Sequence, residues 1–418
     1  MSVEMPAVPG LDLYLISDSR FLHPEVLDRD LVLWELYIFP PYPLTSPSAE
    51  MSSPSLPSTS LHTLNVCPTL TNSSCAWASD LKQLTELYEC EWTGAVVCRT
   101  ATRNGFKEGE EHGVVFGKDK SEATLTTLNS YGYSPHPLSQ YLVWFRELLC
   151  SPPPSTNPSK PIIISITSND PRELKEMVDS IQTFRREIGD IPLTPFSNAN
   201  LPTCRIGIEL NTSCPNMGPS HPPPAYIPTL LLPLLTVLSN AFKADRSLAI
   251  GLKLPPFVYR GQFDAMIGAV HLFTYKSPEG EEINPFAYFA TTNTLGSALL
   301  LTSQSDLSPP SFVPSPSAST PPSEYALPTP LGGLAGAPLH PLALGNVFTF
   351  TSLLSPYPAQ AIARIKVVGI GGVADGEGVR RMQSVGAAVV GCASVFGRDG
   401  VGAFARLAEE VGWKGSSA

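Results

Sequence analysis

From residue 61 the chain repeats one unit, a short β-rich run followed by a segment that suits a helix. The runs are 64–70 (LNVCPTL), 94–100 (GAVVCRT), 161–167 (PIIISIT), 205–211 (RIGIELN), 248–254 (LAIGLKL), 286–293 (PFAYFATTN), 364–370 (RIKVVGI) and 387–392 (AAVVGC). Helical patterns fill the intervals at 77–90, 138–150, 171–188, 224–242, 260–275, 341–354, 375–385 and 399–411. Ser74 is the cap expected before the first, and Asp170 with Pro171 behind it marks the start of the third. Eight apolar strands, each trailed by a helix, predict a parallel sheet covered on its outer face and closed on itself, a (β/α)8 TIM barrel. A doubly wound open sheet is the rival reading of the same pattern.

The rest of the composition is compatible with one large catalytic domain. Hydrophobic residues make up 43% and charged residues 15%, which allows a substantial core. A net charge of -10 argues against a general nucleic-acid binder but leaves room for a small anion at a local cluster of donors. The eight cysteines form no C-x-x-C pair and the seven histidines no H-x-H or H-E-x-x-H pattern, so no metal site is expected. The longest apolar stretch, 225–238, is shorter than the roughly 18 residues of a span and contains Pro228 and Pro233, so no membrane segment is expected. Glu4, Asp12, Asp18 and Glu25 fit neither a secretory signal nor an acid-poor transit peptide, and a cytoplasmic protein is expected. Residues 1–60, with Pro40, Pro41, Pro43 and a Ser/Pro-rich run, predict a poorly structured N-terminal extension, leaving 61–418 as the barrel domain. Three Pro/Ser-rich insertions at 151–160, 190–203 and 302–330 interrupt the alternation, the last being either a lid or a passive loop.

Polar residues and glycines gather at the carboxyl ends of the expected strands: Arg99, Asn211, Lys253, Asn293, Gly371 with Gly372, and Gly391 with Cys392. In a barrel those ends meet at one mouth, where residues almost 300 positions apart become neighbours. The segment Asn211-Thr212-Ser213-Cys214-Pro215-Asn216 places a thiol between two carboxamides. A thiol serves as a proton acceptor when its surroundings favour the thiolate, and carboxamides match the donor–acceptor edge of a cyclic ureide. The alternative is a structural cysteine in a polar turn. The glycines after strands seven and eight suit a phosphate held by backbone N–H groups, with Gly332 and Gly333 as candidates to complete the pocket; ordinary turns are the alternative. Lys253, between Leu252 and Leu254, reads as a cofactor-facing charge or as a snorkelling surface lysine.

Six motifs, in order, carry a resemblance: LNSYGY (128–133), NTSCPN, GLKLPP, TTNTLG, GGLAGAPLHPLALGNV and GIGGVADG. Together they resemble the class 1 dihydroorotate dehydrogenases, from about residue 64 to 411. Cysteine at 214, where the membrane-bound class has serine, points to the soluble class, and the single-chain fumarate-using type fits best. The resemblance implies an FMN-dependent oxidoreductase of pyrimidine biosynthesis, a homodimer that oxidises dihydroorotate to orotate with fumarate as acceptor. It implies that Cys214 is the base and that Asn129, Asn211, Asn216 and Asn293 hold the pyrimidine, with Thr294 beside the last. It further implies that Ser130, Tyr131, Gly132 and Tyr133 meet the substrate carboxylate. FMN contacts are implied for Ser73, Ser74, Arg99, Asn211, Lys253, Gly333, Gly371, Gly372, Gly391 and Cys392. Three departures stand out. Cys98-Arg99-Thr100 replaces the family's Thr-Lys-Ser, the 217–224 loop lacks the family's lysine, and Gly391-Cys392 replaces Gly-Thr. A related oxidoreductase acting on another dihydropyrimidine, or a non-catalytic flavoprotein, are the competing functions.

Overall fold

The computed structural model describes residues 56–415 apart from 119–124, 153–156, 158, 195, 198–199, 215, 217–221, 279 and 307–323. Most of the expected N-terminal extension, part of each Pro/Ser-rich insertion and most of the altered 217–224 loop therefore lie outside the described residues.

Eight parallel strands form the barrel: β1 (Leu70–Asn72), β2 (Val96–Val97), β3 (Ile162–Ile166), β4 (Ile206–Asn211), β5 (Ala249–Leu254), β6 (Tyr288–Thr291), β7 (Lys366–Ile370) and β8 (Val389–Cys392). Each strand pairs with the next in sequence from β2 to β8, and β8 pairs with β1. The helices that follow are α1 (Leu81–Glu89), α2 (Leu138–Cys150), α3 (Pro171–Glu187), α4 (Pro228–Ala244), α5 (Arg260–His271), α6 (His340–Leu354), α7 (Gly376–Ser384) and α8 (Gly402–Val411). The closed barrel is thus the expected one, and the open sheet is excluded.

Period-two alternation sorts the strand side chains into two cores. Ile206, Ile208 and Leu210 face outward into the layer shared with the helices. Ala95, Val97, Ile163, Ala249, Tyr288, Ala290, Val368 and Val389 fill the barrel interior. Leu61, Leu64 and Val66 join that interior from a hairpin, Thr59–Leu61 with Leu64–Val66, placing the hairpin at the amino-terminal end of the barrel. There His62 Nε2 meets the Arg246 carbonyl at 2.7 Å and Thr63 donates to the Ser247 carbonyl at 2.8 Å.

The seam between β1 and β2 is closed largely by side chains. Gly94 N–H donates to the Leu70 carbonyl (2.8 Å), and the Thr71 hydroxyl donates to the Ala95 carbonyl (2.7 Å). Beyond them the Asn72 carboxamide imitates a strand backbone. Its oxygen accepts from Val97 N–H (2.9 Å) and its nitrogen donates to the Val97 carbonyl (2.6 Å).

Local details differ from the sequence expectation. The first run splits: 64–66 belongs to the hairpin and the barrel strand starts at Leu70, because Pro68 has no N–H to give a ladder. The first helix begins at Leu81, capped by Asp80, whose carboxylate accepts from Gln83 N–H (2.9 Å); Ser74 instead bonds Thr100 (3.0 Å). The last helix, expected from 399, begins at Gly402, and a separate short helix, Ser394–Asp399, precedes it before Gly400. A five-stranded antiparallel sheet adds to the barrel, without a counterpart in the sequence pattern. In spatial order it runs Leu295–Ala298, Gly332–Gly336, Thr126–Asn129, Val114–Gly117 and Ser305–Asp306.

The seam makes a quantitative expectation. Asn72→Leu leaves the buried N–H and C=O of Val97 without partners and should cost about 2–6 kcal/mol, one desolvation penalty for each group. Urea unfolding measures this; a loss below about 1 kcal/mol would show that closure does not depend on the carboxamide.

Candidate active site

The carboxyl ends of the eight strands and the antiparallel sheet surround one pocket, open to solvent at its mouth. From the barrel it is lined by Ser73, Ser74, Arg99, Asn211, Cys214, Lys253, Asn293, Gly371, Gly372, Gly391 and Cys392, and from the sheet and its flanks by Asn129, Tyr131, Gly132 and Tyr133. Asn216 and Thr294 complete the set of expected residues that reach it. Ser130 and Gly333 are not among the lining residues. The Ser130 hydroxyl donates to the Glu111 carbonyl and accepts from Gly113 N–H, while the Gly333 carbonyl accepts from Asn129.

The four asparagines form two linked pairs. Asn293 Nδ2 donates to the Ser213 hydroxyl (2.9 Å) and points at Asn211 Oδ1 (3.4 Å), which also accepts from the backbone and hydroxyl of Ser213. Asn216 Nδ2 lies 3.2 Å from Asn129 Oδ1 and also donates to the Asn129 and Tyr131 carbonyls. Asn211 Nδ2 donates to Thr100 (3.0 Å), whose hydroxyl also contacts Ser74 and Ser165. Thr100 therefore joins the ends of β1 to β4, a role that reading the sequence missed; its position directly after Arg99 was the available signal.

Cys214 is half-buried between these pairs. Burial pushes its thiol above the ordinary value, opposed by a hydrogen bond from the Asn216 backbone and by Lys253 and Arg99. Lys253 is buried at the pocket floor, where its ammonium donates to the Ser74 carbonyl (3.0 Å). Desolvation lowers its pKa, while Glu209, Cys75 and Cys214 favour the charged form. The snorkelling alternative is thereby excluded. Glu209, unremarked in the sequence, lies one layer deeper on β4, buried and pushed upward by desolvation against the pull of Lys253. Its Oε2 is 3.4 Å from the Tyr288 hydroxyl, and Oε1 has no hydrogen-bond partner.

Arg99 is committed to protein partners. Its guanidinium pairs with Glu108 and stands over the Tyr131 ring, 5.0 Å from the centroid. Glu108 belongs to a strap, residues 104–113, that crosses the 130–134 segment. Phe106 N–H bonds the Ser134 carbonyl (2.7 Å), Ser130 N–H bonds the Gly113 carbonyl (2.9 Å), and the Phe106 ring fills the space beside Gly132.

No family model matches the chain. Among curated proteins it is 27% identical over 342 residues to "Probable dihydroorotate dehydrogenase A (fumarate)" of Enterococcus faecalis, covering 82% of this chain and 88% of the relative. It is 26% identical over 340 residues to dihydroorotate dehydrogenase (fumarate) of Lachancea kluyveri, covering 81% and 87%. The chain is related to the fumarate-type dihydroorotate dehydrogenases. To the dihydroorotate dehydrogenase (fumarate) of Saccharomyces cerevisiae it is 29% identical over a shorter span, 203 residues. The resemblance carried by the six motifs thus extends over most of the length of two such dihydroorotate dehydrogenases.

The Arg99–Glu108 pair makes the strap testable. Glu108→Gln replaces a charge-assisted bond with a neutral one, a difference of about 1 kcal/mol. Hydrogen exchange at the Phe106 and Ser130 amides should become roughly fivefold faster. Unchanged exchange at both would mean that the strap is held by its other contacts alone.

Proposed function

We propose that this protein is an FMN-dependent dihydroorotate dehydrogenase of pyrimidine biosynthesis, oxidising dihydroorotate to orotate with fumarate as the acceptor. The supporting observation is the placement of Cys214 between two carboxamide pairs at the mouth of a pocket whose floor holds a buried lysine. The pyrimidine edge alternates donors and acceptors, and so do carboxamides. The relatives' names point to the same chemistry. In keeping with that reading we place the protein in the cytoplasm as a homodimer; among the described residues no helix is long and apolar enough to cross a membrane.

The residues present suit FMN. Gly372 has φ +69°, and a Cβ there would lie 2.5 Å from the Gly336 carbonyl oxygen and 2.7 Å from His340 Cβ, so only glycine lets this pocket-lining turn pack so closely on its neighbours. The Thr292 hydroxyl lines the pocket, buried and without a partner. Gly371, Gly372, Gly391 and Cys392 would hold the phosphate; Ser73, Ser74 and Lys253 would hold the ring system. When bound, FMN supplies the hydride acceptor for C6 of dihydroorotate and the donor that reduces fumarate. Cys214, as the thiolate, takes the C5 proton; the carboxamides fix the ring but are not bases near neutral pH. Lys253, buried at the pocket floor, would supply a positive charge to the bound ring system.

Cys214→Ala should keep FMN, still perturb the flavin spectrum on addition of orotate, and reduce the flavin about 10²–10⁴-fold more slowly with dihydroorotate. Stopped-flow bleaching measures this, and parent-like bleaching at pH 7 would overturn the assignment of the base. Because burial raises the thiol's pKa, its reactive anion is scarce at neutral pH in the free enzyme. Flavin reduction in the parent should accordingly climb with pH past the ordinary thiol value of about 8.5. A plateau reached below pH 8 would show that substrate binding, or another group, sets the base. Gly372→Val should purify colourless, because its Cβ collides with Gly336 and His340 and forces the pocket-lining turn to shift; an equally yellow variant would move the phosphate elsewhere.

One observation favours the second substrate reading. Arg99 is pinned to Glu108 and Tyr131 at the place where the family carries a lysine, so the mouth differs in shape and free charge. Comparing dihydroorotate with dihydrouracil and other dihydropyrimidines as flavin reductants decides between the two.

A further inference from the structure

His340, the first residue of α6, lies behind the turn Gly371–Gly372 and is 8% exposed. Its Nδ1 is 2.8 Å from the Gly371 carbonyl oxygen. Its Nε2 is 3.2 Å from Arg381 Nε on α7. These two contacts fix the tautomer. An arginine Nε–H can only donate, so Nε2 must carry the lone pair, and the ring proton must sit on Nδ1 and point at the Gly371 carbonyl. Burial, together with the nearby Arg381 charge, lowers the imidazole's pKa despite the Gly371 contact, which agrees with a neutral ring. Arg381 is itself steadied by Asp375 (3.6 Å) and Glu377 (3.8 Å).

The Gly371–Gly372 peptide is planar and trans, so its C=O and N–H point in opposite directions. Gly371 has φ +134° and Gly372 has φ +69°, backbone states that favour glycine but do not by themselves select one peptide orientation. A donor clamped on the carbonyl selects it. With the carbonyl held toward α6, the Gly372 N–H is turned the other way, toward the pocket that both glycines line.

We propose that His340 is a positioning residue for an anion-binding turn: by donating from Nδ1 to the Gly371 carbonyl, with Arg381 holding its other nitrogen, it presents the Gly372 N–H to the phosphate of the flavin nucleotide. This rests on the reading of the pocket as an FMN site. His340 is not among the residues that line the pocket, so its contribution would go to the phosphate through the turn alone.

The test compares FMN with riboflavin, which lacks the phosphate, by titrating the full-length protein freed of its flavin and following flavin fluorescence. The parent should prefer FMN. His340→Ala should lower that preference about tenfold while leaving riboflavin affinity unchanged, the effect of losing one oriented donor. His340→Asn, whose amide nitrogen can take the place of Nδ1, should keep most of the preference. His340→Gln, whose amide sits near the Nε2 position, should lose it. The Asn and Gln variants preserve polarity and bulk, so a folding failure of the Ala variant leaves the comparison intact. An Ala or Gln variant with the parent's preference, equal loss of both ligands, or an Asn variant no better than Gln would each overturn the proposal. A parent with no preference for FMN would instead remove the phosphate site, and the flavin nucleotide reading with it.

Discussion

A strand can leave no backbone N–H or C=O unpaired in a dry core, and that requirement organises everything at the mouth of this barrel. Seven junctions meet it with ordinary parallel ladders. At the eighth, between Leu70–Asn72 and Val96–Val97, the backbones share one bridge, Thr71 with Ala95, rather than a ladder, and the Asn72 carboxamide supplies the missing donor and acceptor. Closure there brings Ser73 and Ser74 beside Arg99 and Thr100. The Thr100 hydroxyl then ties Ser74, Ser165 and Asn211 together. The pocket floor is thus a consequence of how the ring of strands is completed.

The charges within the pocket are buried by the same closure. Lys253 and Glu209 sit in successive inward layers, one on Ala249–Leu254 and the other on Ile206–Asn211, where desolvation acts on both and their mutual attraction acts against it. Arg99 is handled differently: Glu108 neutralises it and the Tyr131 face covers it. Positive charge available to a ligand at the floor therefore comes chiefly from Lys253, while the arginine spends its charge holding the strap on the 130–134 segment.

The pattern of alternating runs and helical segments was legible because burial imposes it residue by residue. Leu138–Cys150 begins and ends as expected, and Pro171–Glu187 starts where Asp170 and Pro171 predict. Misplacements occurred where local signals competed. The run 64–70 contains Pro68, which divides a hairpin strand from a barrel strand, and Ser74, the expected cap, bonds Thr100 while Asp80 caps the first helix. The antiparallel sheet is not legible in the sequence because its five strands, each two to five residues long, come from distant parts of the chain and are too short to show alternation.

What the sequence by itself determined is the identity of the groups at the mouth. Residues that end parallel strands must meet there, so Arg99, Asn211, Lys253, Asn293 and the paired glycines could be collected from their positions alone. The six motifs supplied a family whose members the chain matches at 26–27% identity over most of its length. Which of these groups bond to one another was decided only by the tertiary structure. Asn211 and Asn293 are 82 residues apart and Asn129 and Asn216 are 87 apart, yet they face each other as pairs. Arg99 meets Glu108 through a turn of the strap, and His340 meets Gly371 across a helix–loop contact. Hydrogen bonds depend on distances of a few tenths of an ångström and on direction, and those are properties of packed elements rather than of their order along the chain.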